Sequence, residues 1–127
     1  MTSLDLPIPD DATLRIVYQG PLPPSREWHA ISGGGTWNAR YVYVLGSPDD
    51  CLYVGMAWSV QRRWEKHKRR LWWPEVTWAT VVELTCPNRD RAERDVRALE
   101  RYVIATLLPT KNLVGPSNLP ARLAVAP

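Results

Sequence analysis

Residues Tyr41 to His67 read YVYVLGSPDDCLYVGMAWSVQRRWEKH: two short runs of strand formers separated by turn residues, then a helix loaded with Arg, Lys and His. Strand side chains repeat every two residues, so Tyr41, Tyr43 and Leu45 share one face of the first strand and Val42 and Val44 the other. Gly46 to Asp50 supply the turn: Gly46 frees the backbone, Pro48 holds φ, and Asp49 and Asp50 bond nearby backbone. The chain returns through Cys51 to Val54. At Gly55 the missing Cβ leaves room for backbone or a substrate phosphate to come close. Ser59 suits a helix N-cap, and Val60, Trp64 and Leu71 form an apolar stripe. Arg63, Lys66 and Arg70 lie on another face, with His67 one turn beyond Arg63.

The whole chain has 127 residues, enough for one domain with one modest core. No apolar run approaches bilayer-spanning length, and the acidic start MTSLDLPIPDD lacks the basic opening of a signal peptide. A cytoplasmic protein with no membrane partner is expected. Cys51 and Cys86 are too few for a disulfide framework, and neither has a second Cys or a His at metal-site spacing. Two reduced thiols fit the same compartment.

A net charge of +3 says little until it is located. Between Trp58 and Pro74, Arg62, Arg63, Lys66, Lys68, Arg69 and Arg70 stand against Glu65 alone, a local charge of +5. The rest of the chain is slightly negative. A solvated helix face is the ordinary explanation of such a run; a polyanion partner is the other. The tyrosines before the run and Glu100 after it favour the second.

In chain order, residues 1–13 read as a Pro- and Asp-rich arm, and Thr13 to Tyr18 as a strand that Gly20 to Pro24 must break. Ser25 to Ile31 suits a single helical turn carrying Trp28 and His29, the latter a packing or surface histidine. Gly33, Gly34 and Gly35 lack the Lys and Ser/Thr of a phosphate-binding loop and read as a hinge. Residues 1–39 therefore form an N-terminal extension with three open roles: an added edge strand, a grip on substrate, or a homodimer contact. After the basic helix, Pro74 ends helical structure. Seven tryptophans and no phenylalanine imply that Trp fills core, Trp64 and Trp78 first, while base stacking stays open for Trp58, Trp72 and Trp73. Glu75 to Leu84 alternates as a third strand. Asp90 to Leu107 reads as a helix with Ala92, Val96, Leu99, Val103 and Leu107 on its apolar face and Glu100 at the margin, where pairing with Arg97 or Arg101 is one explanation. Residues 115–127 form a tail. The fold class is α+β, a small three-stranded antiparallel sheet flanked by helices in the order β-β-α-β-α.

Taken together, Tyr41-Val42-Tyr43, then Tyr53-Val54-Gly55, Arg63 eight residues after the glycine, His67 four further on, Glu100, and Asn112 twelve residues later resemble the GIY-YIG nuclease domain. Each short motif recurs by chance; five in order and at these spacings are far more specific. The resemblance covers residues 40–114, with Tyr41 in place of the family's first glycine. It implies a divalent-metal-dependent DNA endonuclease, of restriction, homing or phage type since no separate reader module is evident, acting at the nucleoid in the cytoplasm. By the same resemblance Tyr43 activates the attacking water, Tyr53 and His67 hold the proton network, Arg63 grips the phosphoryl oxygens, Asn112 braces the site, and Glu100 alone ligates Mg²⁺ or Mn²⁺. A free tyrosine, with a pKa near 10, is a poor base at neutral pH, so Tyr43 acts either as a phenolate or as a relay to His67. Arg62, Lys66, Arg69, Arg70 and Trp72 are the candidates for contact with DNA. The other open readings are a catalytically silent nucleic-acid-binding module using the basic helix 59–71, and a protein-interaction domain with incidental charge.

Overall fold

A computed structural model of the chain describes residues 8–31 and 37–112. The glycine hinge at Ser32 to Gly35, the first seven residues of the arm and the tail from residue 113 lie outside the described residues. Four strands, β1 (Thr13–Pro21), β2 (Ala39–Gly46), β3 (Cys51–Ala57) and β4 (Trp78–Thr85), form one antiparallel sheet in the order β1-β4-β2-β3. The expected three-stranded sheet is thus corrected to four. The fourth strand is the TLRIVY run, which continues through Gly20 and Pro21 instead of stopping before them. It does so because it lies at the sheet edge, where the missing proline N–H costs no ladder bond. A bulge between Ile16 and Tyr18 interrupts its pairing with β4.

Alternation in β2 holds as read. Tyr41, Tyr43 and Leu45 pack on one side of the sheet with Ala79, Val81, Trp28 and Trp64, whereas Val42, Val44, Val54 and Leu84 pack on the other with Ala92, Val96 and Leu99. Both faces of β2 are therefore buried, and the sheet is the middle of three layers. The first outer layer is α1 (Val60–His67) together with a 3₁₀ turn at Ser25–Ala30 that carries buried Trp28. The second is α2 (Arg89–Leu107).

Each helix is punctuated by its own sequence. The Ser59 hydroxyl accepts from the Arg62 N–H at the start of α1, and the Asn88 side chain accepts from the Arg91 N–H at the start of α2. α2 ends at Leu108, which sits in the left-handed region at φ 50° because Pro109 disfavours the helical conformation in the residue before it. α1 is shorter than expected and stops at His67. Leu71, assigned to its apolar stripe, is consequently 97% exposed, and Arg69 and Arg70 lie on the turns beyond the helix. The third expected strand begins at Trp78, because Trp73–Glu75 form a 3₁₀ turn around Pro74. Among the described residues no helix is long and apolar enough to cross a membrane.

Candidate active site

Tyr43 stands at the centre of the sheet, opposite Gly55 on β3 and Val81 on β4. A Cβ on Gly55 would overlap the Tyr43 phenol, lying 2.6 Å from its Cζ and 2.9 Å from Cε2 of Tyr53. The close approach foreseen at Gly55 is therefore real, but the group that approaches is the tyrosine ring. With Gly55 beneath it, Tyr43 turns its hydroxyl toward α1, where its oxygen lies 2.6 Å from Nε2 of His67. The Arg63 guanidinium, one turn earlier on the helix, acts on the same hydroxyl with its charge. Spacing explains the convergence: Arg63 and His67 are four residues apart and so project from neighbouring turns of one face.

Donor and acceptor counting allows two arrangements of the protons. With the His67 proton on Nδ1, Nε2 accepts the Tyr43 O–H; with the proton on Nε2, the phenol oxygen accepts instead. Burial raises the Tyr43 pKa well above the ordinary phenol value, aided by the charges of Tyr53 and Glu100 and opposed by Arg63. His67 is driven the other way, down to about 4, first by burial and then by the charges of Arg63 and Arg70. Imidazole is neutral over the whole physiological range. Of the two states open to Tyr43, burial disfavours the phenolate and leaves a phenol beside a neutral imidazole.

The His67 shift has a consequence for stability. Between its ordinary value of 6.5 and about 4, the unfolded chain binds a proton that the folded chain refuses. Stability from this residue is full above about pH 6.5 and is lost as pH falls toward 4, by up to a few kcal/mol. His67→Gln should flatten that window. Urea midpoints of both proteins at pH 7 and pH 4.5 measure it, and an equal fall in the two would assign the acid sensitivity to carboxylates instead.

Glu100, half-buried on α2, adds its charge to those that act on Tyr43 and on Arg63, whose protonated form it favours together with Tyr43 and Tyr53. Because α2 packs on the opposite sheet face from α1, this is possible only where the two layers approach each other. β3 is the edge strand there, and Arg63 lines a cleft with Met56, Val96 and Glu93, the last two from α2. Arg40, which the sequence reading did not single out, is buried, lines this cleft and holds Glu93 at 2.6 Å. Glu93 is thereby committed to Arg40. Tyr53 stands over His67, ring centroids 4.6 Å apart, and near Tyr43 at 6.2 Å.

Asn112 takes a different part. Its side-chain oxygen accepts from the Val54 N–H at 2.8 Å and its amide donates to the Val54 carbonyl at 2.7 Å. The Thr110 and Lys111 N–H groups also donate to the Cys51 and Leu52 carbonyls, so the segment after α2 is fastened along the outer edge of β3. This is bracing through the backbone.

Of the candidates for contact with nucleic acid, Arg62, Lys66, Arg69 and Arg70 are exposed. Trp72 is not. It is 6% exposed, stacked on Tyr53 with centroids 5.2 Å apart and tilted against His67, so it serves the site as a wall and is corrected as a base-stacking residue. Trp73 is partly buried in the same core, and Trp58 remains 53% exposed.

A divalent cation is compatible with this donor set in one form only. Among the described residues no group of three or more His, Cys, Asp and Glu gathers to hold a metal. A hydrated Mg²⁺ needs one or two carboxylates and keeps several waters, and half-buried Glu100 facing Arg63 meets that requirement. Comparison with protein-family models, with curated proteins and with solved structures returned no match.

Proposed function

We propose that β2-β3-α1-β4-α2 is a GIY-YIG nuclease fold and that the protein is a divalent-metal-dependent DNA endonuclease. One observation carries this reading: the Tyr43 hydroxyl lies 2.6 Å from Nε2 of His67, within reach of the charges of Arg63 and Glu100. Phosphodiester hydrolysis needs a proton acceptor for the attacking water and positive charge for the phosphoryl oxygens. This cluster contains both.

In the proposed reaction Arg63, itself largely exposed, forks onto the non-bridging oxygens of the scissile phosphate. The bound anion offsets the guanidinium charge, and with it one of the causes that hold the His67 pKa down. Tyr43 passes its proton to Nε2 of His67 as it accepts one from the attacking water. Tyr53 and Trp72 keep bulk water from the imidazole by stacking around it. Mg²⁺ or Mn²⁺ at Glu100 would supply Lewis-acid stabilisation of the charge that grows on the phosphate and the departing oxygen.

Incubation with supercoiled plasmid tests the reading. Nicked or linear product is expected with Mg²⁺ and none with EDTA, while band retardation persists in EDTA and weakens steeply with salt. Retardation without product at any metal concentration, over plasmid and branched substrates alike, would leave a nucleic-acid-binding module in place of an enzyme.

A further inference from the structure

Two indoles, Trp37 and Trp58, are more than half exposed among the described residues, and their surroundings differ. Trp37 borders Asn88, Arg89 and Asp90, a neighbourhood of balanced charge. Trp58 follows the end of β3 and precedes the Ser59 cap of α1. It borders a groove of about 630 Å³ along the exposed face of α1, lined also by Arg62, Arg63 and Lys66 with Glu65 as the one acid. It also borders the cleft of about 240 Å³ that runs from Arg63 toward Arg40, Glu93 and Val96. Trp58 and Arg63 are the two residues common to both cavities, so together they form the rim between them.

That juxtaposition is specific. A guanidinium that grips one phosphate fixes where the neighbouring sugar and base can lie. Successive phosphates and their bases are linked by only a few bonds, and in both cavities an indole lines the wall together with Arg63. An indole face with cations on one side suits a ring that is flat, apolar on its faces and tied to an anion. Inside a duplex both faces of every base are covered by neighbours, so an indole at the rim can stack only on a base that is unpaired or has been turned out.

We propose that Trp58 stacks on an unpaired nucleobase adjoining the phosphate held by Arg63, and that the protein selects nucleic acid with an unpaired nucleotide at that position. This rests on the reading of Arg63 as the phosphate grip. Its preferred substrate is then DNA with a single-stranded, flapped or bulged nucleotide beside the scissile bond, which a supercoiled plasmid offers only where its duplex opens. Of the three indoles for which stacking stayed open, the role falls to Trp58, 14 positions before Trp72 and next to the Ser59 cap of α1.

The test uses the full chain in EDTA at one fixed, low salt concentration, so that binding is read without cleavage. Affinities of the wild type, Trp58→Ala and Trp58→Tyr are measured by fluorescence anisotropy on a labelled 20-nucleotide single strand and on its perfect duplex. Trp58→Ala is expected to weaken single-strand binding by about 10- to 100-fold and duplex binding by less than about threefold, since base stacking on an aromatic side chain is lost only from the first. Trp58→Tyr, which keeps an aromatic face, should recover most of the loss, a recovery that a merely structural role would not give. Equal weakening on both ligands, no weakening on either, or a wild type that binds neither overturns the proposal. The nuclease reading is judged separately by Mg²⁺-dependent product from the wild type. Product with an indifferent Trp58→Ala removes the stacking inference alone; selective binding without product removes the nuclease and leaves the stacking.

Discussion

Glu100→Gln is expected to reduce plasmid cleavage by at least about 10²-fold while leaving DNA affinity in EDTA within a few-fold of wild type. Glutamine keeps the shape and hydrogen-bonding capacity of the side chain but removes its charge, and one charge is what a sparsely ligated, water-rich cation depends on. Glu100 is the acidic group whose field reaches both Tyr43 and Arg63. Loss of a metal centre's contribution, several kcal/mol in the transition state, corresponds to at least two orders of magnitude in rate. Excess Mn²⁺ should restore part of the activity, which separates weakened metal binding from a collapsed site. Unchanged cleavage by Glu100→Gln would reassign the metal to another carboxylate and break the proposed site at its centre.

Tyr43→Phe is the second large effect, expected to lower the cleavage rate by about 10²- to 10⁴-fold, the usual worth of a positioned acid-base group. The phenyl ring fills the same buried volume above Gly55, so core packing is retained. Only the hydroxyl that faces Nε2 of His67 is lost. Its absence leaves buried Nε2 of His67 without its Tyr43 partner, at a cost of about 1–3 kcal/mol in stability. Denaturant midpoints check that figure, and single-turnover rates at 10 °C, where the variant is fully folded, check the rate. A variant that loses stability but not rate would make Tyr43 a packing residue and transfer the proton to His67 directly.

Much of this architecture was legible in the chain, and the reasons are local. Alternation in Tyr41 to Leu45 assigns side chains to two faces whatever those faces contact, and both faces proved apolar and filled. Ser59, Asn88 and Pro109 mark helix ends because capping and proline geometry act within a few residues. Arg63 and His67 lie on neighbouring turns because four residues make about one helical turn. Element ends were less secure: α1 stops at His67, and the continuation of its periodicity to Leu71 had no structural counterpart.

What the chain could not reveal is what comes from the far side of the sheet. Nothing local says that TLRIVY adds to the β4 edge, since edge pairing is decided by which backbone groups another strand leaves open. Nothing local distinguishes Trp72 from Trp58, two indoles flanking one basic helix: the first is sealed by Tyr53 and His67, the second left at the rim, and burial is a property of neighbours. The same holds for Glu100 and for Arg40, whose meanings depend on α2 meeting α1 around strand β3. By itself the sequence determined the strands' faces, the helix starts and the placing of Arg63 and His67 on neighbouring turns of one helix, because these follow from periodicity and capping. Only the tertiary structure decided which ionisable and aromatic groups share a dielectric environment, because desolvation and charge at Tyr43 and His67 come from residues up to 57 positions away in the chain.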